Sequence, residues 1–234
     1  MARWGATSTV PYIPEKYIEE DAELLIAEYQ RDRSPVTAPP VPAEQIMEAQ
    51  LQLTVEIDDL CAMFGSDDVL GAIWFKDAVV KVDESLDPHV RPAMLGRFRF
   101  TLAHEAGHWR LHRKYYQEDP AQSHLFGGRG APAFVCRSSE KPPVEWQADT
   151  YASYLLMPRR LLIAAWERWR GSLDAVVLAT LPPAPVSIQR DADDVRMEQF
   201  CRPLAERFEV SAEAMRIRLE KLGLLLREAP NTLF

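Results

Sequence analysis

One short segment restricts the possible folds of this chain more than any other: His104-Glu105-Ala106-Gly107-His108. On an α-helix, positions i and i+4 lie on one face about one turn apart, so both imidazoles can share one metal ion. Glu105 is rotated about 100° from His104, beside such an ion, where a carboxylate can take a proton from bound water. Two unrelated histidines would produce the pattern on the order of once per hundred such chains. The motif therefore needs a third donor, leaving a fourth position for water, and a fold that delivers it.

Glu145-Trp146-Gln147-Ala148-Asp149 supplies that second element, on a segment bracketed by Pro143 and Pro158. A proline opens a helix readily and stops one effectively, so a helix is expected over 144–157. Glu145 and Asp149 then stand at i, i+4. One carboxylate can ligate a metal while the next, one turn on, accepts the far N–H of a ligating histidine and fixes its tautomer. Ala148 and Ala152, on or near the same face, are small enough to admit the first helix closely. Either acidic residue alone would read as a solvated helix face; the pair together with the upstream motif favours a metal.

His112 competes for the third place. It lies eight residues beyond His104, about 12 Å along a straight helix, and no proline interrupts the run. His112 is accordingly read as a packed or hydrogen-bonding residue beside the site. His89 and His124 read as surface or loop residues, His124 with the further option of stabilising an oxyanion. Cys136 follows the apolar Phe134-Val135 and reads as a packing residue. Gly127–Gly130 lacks a following Lys-Ser/Thr, so it is not a phosphate-binding loop.

Around these segments the spacing predicts amphipathic helices over 15–30, about 43–51, 97–112, 159–170, 195–208 and 211–222, the last behind Ser211 as N-cap. Two strands are expected, Val69–Phe75 and Ala78–Val82, forming a hairpin. A proline-rich connector spans 33–42, and a long loop rich in turn formers is expected over 113–144. Net charge −8 and pI near 5.2 argue against broad binding to nucleic acid or an anionic membrane. The longest clean apolar run, Val69 to Phe75, is far short of a bilayer span. Three scattered cysteines, Cys61, Cys136 and Cys201, fit a reducing cytoplasm better than a disulfide framework. Residues 202–219 have a helix-turn-helix layout. Within 196–227, however, seven basic residues face five acidic ones, a feeble footprint for DNA.

The segments Arg97–His108 and Glu145–Ala152, the latter running into Leu155-Leu156-Met157-Pro158, resemble the ImmA/IrrE family of zinc metallopeptidases. Weaker similarity extends from about residue 40 to 226. The resemblance implies an α+β, zincin-like fold, mostly helical, with a small β-sheet beside the HExxH helix and a C-terminal helical subdomain. The expected organisation is an N-terminal helix and connector (1–38), a zinc metallopeptidase domain (39–180) and a small helical subdomain (190–229). It implies Zn²⁺ held by His104, His108 and Glu145, Glu105 as general base, and Asp149 hydrogen-bonded behind a ligand. Two imidazoles and a carboxylate accept Mn²⁺ or Fe²⁺ as well. The implied activity is endopeptidase cleavage of a helix-turn-helix transcriptional repressor, relieving repression of mobile-element or stress-response genes, with the repressor on another chain. The alternative is a zinc-holding module that sequesters a repressor or antitoxin-like partner without cutting it. A substrate strand is expected to add along the 69–75 segment. Direct DNA binding is not expected.

Overall fold

Prolines and glycines punctuate the helices as the sequence leads one to expect. The computed structural model describes residues 10–115, 132–137, 142–183 and 191–229. Pro143 opens α5 (Pro143–Leu156), and Pro158 stands as N-cap of α6 (Arg159–Arg170). Gly171, at φ +78°, closes α6 in a left-handed conformation that costs glycine nothing. Ser211 caps α8 (Ala212–Lys221), its side chain accepting from the Ala214 N–H. The other helices are α1 (Glu15–Asp32), α2 (Ala43–Gln45, continued by a π-helical turn over Ile46–Gln50), α3 (Leu60–Phe64), α4 (Leu95–Gly107) and α7 (Ala192–Phe208). The architecture is α+β, predominantly helical with one small mixed sheet, as expected.

The chain divides into two units, residues 1–36 with 42–156 and residues 37–41 with 157–234. In the first, β1 (Thr54–Asp58), β2 (Val69–Trp74), β3 (Val79–Asp83) and β4 (Phe134–Arg137) form a sheet in the order β1-β3-β2-β4. The β2–β3 hairpin is antiparallel, Ile73 opposite Val80. β1 runs parallel to β3, and β4 antiparallel to β2. Helix α4 lies between this sheet and α5, and it packs more extensively on α5 than on any other element. Gly107 makes that approach possible: a Cβ there would stand 3.0 Å from Tyr151 Cβ and 3.1 Å from Ala148 Cα. α1 packs along α5. It is anchored by Arg110, which donates to Asp21 through Nε (2.8 Å) and Nη2 (3.1 Å) and to Glu28 through Nη1 (3.1 Å).

The second unit holds α6, α7, α8 and a two-stranded parallel pair, β5 (Val176–Val177) with β6 (Leu225–Leu226). Trp166 is fully buried and meets Trp169 and Phe200 edge-on.

Two expectations need correction. The stretch 113–144 is not all loop, because residues 134–137 form β4 on the flank of the sheet. Consequently β2 is no edge for a substrate strand: it is paired on both sides, by β3 and by β4.

Candidate metal centre

Helix α4 is buried on every side from Thr101 to Gly107, so its polar side chains there must find partners within the protein. His104, Glu105 and His108 are almost wholly enclosed. Opposite them, α5 presents Glu145, which is buried, and Asp149. The Nε2 atoms of His104 and His108 face each other at 3.0 Å. Glu145 closes the triangle, Oε2 at 3.0 Å from His104 Nε2 and Oε1 at 3.4 Å from His108 Nε2.

The outer ring nitrogens determine which atoms carry protons. His104 Nδ1–H donates to Asp149 Oδ1 at 2.9 Å. His108 Nδ1 lies 2.9 Å from His112 Nδ1, and His112 Nε2 lies 3.4 Å from Gln147 Oε1. Gln147 Nε2 in turn donates to the Pro11 carbonyl at 3.2 Å. Since Gln147 offers its carbonyl oxygen to His112, His112 donates through Nε2–H, and its Nδ1 accepts the proton of His108 Nδ1. Both inward-facing Nε2 atoms thereby carry lone pairs, beside a carboxylate. Three acceptors so close repel one another unless a cation lies among them. Ligands arranged tetrahedrally at about 2.0–2.1 Å from an ion stand about 3.3 Å apart, close to the spacing found here. His104, His108 and Glu145 can hold a divalent metal ion.

Although burial opposes it, Cys136, Asp149 and Glu145 raise His104 well above the ordinary histidine value, so that a proton on this ring offsets the carboxylates when no metal cation does. Burial lowers His108, outweighing the pull of Glu145. Glu145 is held well below the usual carboxylate range, against its burial, by His108 and His104. Burial, with the His108 charge, pushes His112 down to about 3, so it stays a neutral acceptor.

Glu105 is the exceptional group. Among the described residues neither of its carboxylate oxygens has a hydrogen-bond partner, and the residue is fully buried. Burial and the Glu145 charge push it up to about 8, while His104 pulls the other way. An unpartnered carboxyl beside three metal donors is placed to take a proton from a molecule bound among them. Gly71 on β2 makes room for it: a Cβ there would stand 2.8 Å from Glu105 Oε1 and 2.6 Å from Thr101 Cγ2. Phe134 on β4 stacks on the His108 ring, with centroids 4.2 Å and planes 14° apart.

The structure thus brings His104, Glu105, His108, Glu145 and Asp149 together. His112 lies behind His108 rather than among the three donors, and His89 is exposed. His124 and Gly127–Gly130 lie outside the described residues. Cys136 is where sequence reasoning falls short: its sulfur and donor atoms of His104 and Glu105 all lie within 4.8 Å of one another. No motif surrounds Cys136 to signal this, since its position depends on β4 pairing with β2.

The family model for the IrrE N-terminal-like domain, a peptidase family, matches residues 91–220. No curated protein matches the chain. Among solved structures, a Mycobacterium tuberculosis transcriptional regulator is similar over 94% of this chain, at 13% identity and a TM-score of 0.45. The match covers 54% of the regulator, so this chain spans about half its length. The matched segment takes in α4, α5 and every residue of the candidate metal centre, and on it the chain belongs to the IrrE N-terminal-like peptidase family.

Proposed function

We propose that this protein is a zinc-dependent endopeptidase whose substrate is a helix-turn-helix transcriptional repressor on another chain, cut to relieve repression of mobile-element or stress-response genes. The reading is carried by one observation: three metal donors converge in a buried pocket that also contains the unpartnered carboxyl of Glu105. His104, His108 and Glu145 would hold the ion, and Asp149 and His112 would orient the two imidazoles. A zinc ion there supplies Lewis acidity, lowering the pKa of a bound water to about 7 and polarising a peptide carbonyl. Glu105 takes the proton of the attacking water and returns it to the leaving amine nitrogen. Positive charge among the donors favours the ionised carboxylate that this role requires. Phe134, stacked on the His108 ring, shields it from competing solvent. With β2 paired on both sides, β4 is the edge strand on the site's side of the sheet among the described residues, and an extended substrate would add there.

The alternative, a module that holds zinc and grips a repressor without cutting it, has no use for a buried carboxyl left without a partner. Mass spectrometry of candidate repressors incubated with the wild type and with Glu105→Gln tests the choice. We expect new peptides only with the wild type, and equal metal content in both. Cleavage by Glu105→Gln at the wild-type rate would remove Glu105 from the mechanism.

A further inference from the structure

A three-donor centre leaves one position for a fourth ligand, and the structure places a thiol on the His104 side of the centre. Cys136 lies on β4, directly across from Gly71 in the β2 register, and Gly71 is the residue whose missing side chain accommodates Glu105. The Cys136 sulfur, a Glu105 carboxylate oxygen and a ring nitrogen of His104 form a compact group within 4.8 Å. Glu105 reaches this group fully buried and without a hydrogen-bond partner. A thiol this close to a metal ligand is placed to bind the same ion through sulfur.

We propose that Cys136 is a fourth, displaceable metal ligand, which caps the centre held by His104, His108 and Glu145 and keeps it latent. This rests on the metal-centre reading above. On capping, the Cys136 S–H bond would break, its proton leaving with the departing water, and the sulfur would take that water's place among the donors. Hydrolysis is then blocked because the water has lost its place. The step is reversible: withdrawal of Cys136 with β4 lets water return. Thiolate is a good zinc ligand, at about 2.3 Å, and four protein ligands are the arrangement of closed, non-catalytic sites. Because β4 carries both the cap and the strand available to substrate, a segment pairing with β4 can draw the sulfur away as it binds.

The test uses the full chain loaded with Co²⁺, whose thiolate charge-transfer absorption in the near ultraviolet reports sulfur ligation. We expect that band in the wild type and its loss in Cys136→Ser. We also expect the metal affinity of Cys136→Ser, by chelator competition, to fall more than about tenfold, since even partners behind a ligand are worth 10–100-fold. Peptide-level alkylation gives an independent readout: metal should protect Cys136 in the wild type but not in His104→Ala. A wild-type Co²⁺ spectrum without the band, together with metal-independent alkylation of Cys136, would overturn the cap and leave the three-donor centre standing. Co²⁺ binding that survives His104→Ala unchanged would instead overturn the centre and the cap together.

Discussion

Glu105 depends on a glycine 34 positions earlier in the chain for its place. At Gly71 a methyl group would meet both Thr101 and Glu105 at distances that real Cβ atoms do not show, so the Thr101 and Glu105 side chains would have to shift. Gly71→Ala should therefore cost about 1–3 kcal/mol of stability, as overpacking generally does. It should also slow cleavage more than tenfold with metal content unchanged, because the donors on α5 lie on the other side of α4. Kinetics alongside metal analysis check this, and wild-type cleavage by the variant would contradict the placement of Glu105. In the sequence the glycine is visible as an interruption of an apolar strand, a common sign of close approach. What approaches it is not visible there, because the partner lies more than 30 residues away on another element. Cys136 is the harder case, since nothing in its neighbours distinguishes a thiol facing a metal site from one in a core.

Among the elements, the two helices that carry the donors are the most legible. The i, i+4 spacing and the bracketing prolines place four polar side chains on facing surfaces, and the structure brings those surfaces together. The continuation of α4 is less so. Beyond Gly107 the helix widens into a π-helical turn over His108–His112, and His112 comes to rest against the outer nitrogen of His108. The resulting relay, from His108 through His112 and Gln147 to the Pro11 carbonyl, fixes the tautomer of a donor. His112→Leu stays close to histidine in volume and removes the acceptor, and it should weaken metal binding about 10–100-fold by chelator competition. Unchanged affinity would show that the relay does not orient His108. Asp21 is the corresponding anchor on α1, receiving two bonds from Arg110 and one from the buried Tyr151 hydroxyl at 3.1 Å. Asp21→Ala leaves both donors without this acceptor and should cost about 2 kcal/mol, read as a lower urea midpoint at unchanged m-value. Strands β1 and β4 lie beyond the expected hairpin for different reasons. Thr54-Val55-Glu56-Ile57-Asp58 alternates polar and apolar residues and is readable as a strand. The four residues of β4 are too short for any period and gain their strand geometry only by pairing with β2.

For the whole molecule, the α+β class that the family resemblance implies is the one the structure has, and the family match agrees with it. Among the described residues no helix is long and apolar enough to cross a membrane. The C-terminal helices show why a modest basic surplus is a poor guide to DNA binding. Arg216 pairs with Glu220 at 2.6 Å and Arg227 with Glu220 at 2.7 Å, so charges counted as basic in the sequence are answered locally. The account as a whole stands on α4 and α5 meeting so that His104, His108 and Glu145 grip one ion. Equilibrium dialysis against zinc, with metal quantified by mass spectrometry, tests this most directly on the wild type, His104→Ala and Glu145→Ala. One ion per wild-type chain is expected, with affinity lowered at least about tenfold in each variant; Glu145→Ala binding zinc as tightly as the wild type would contradict the account.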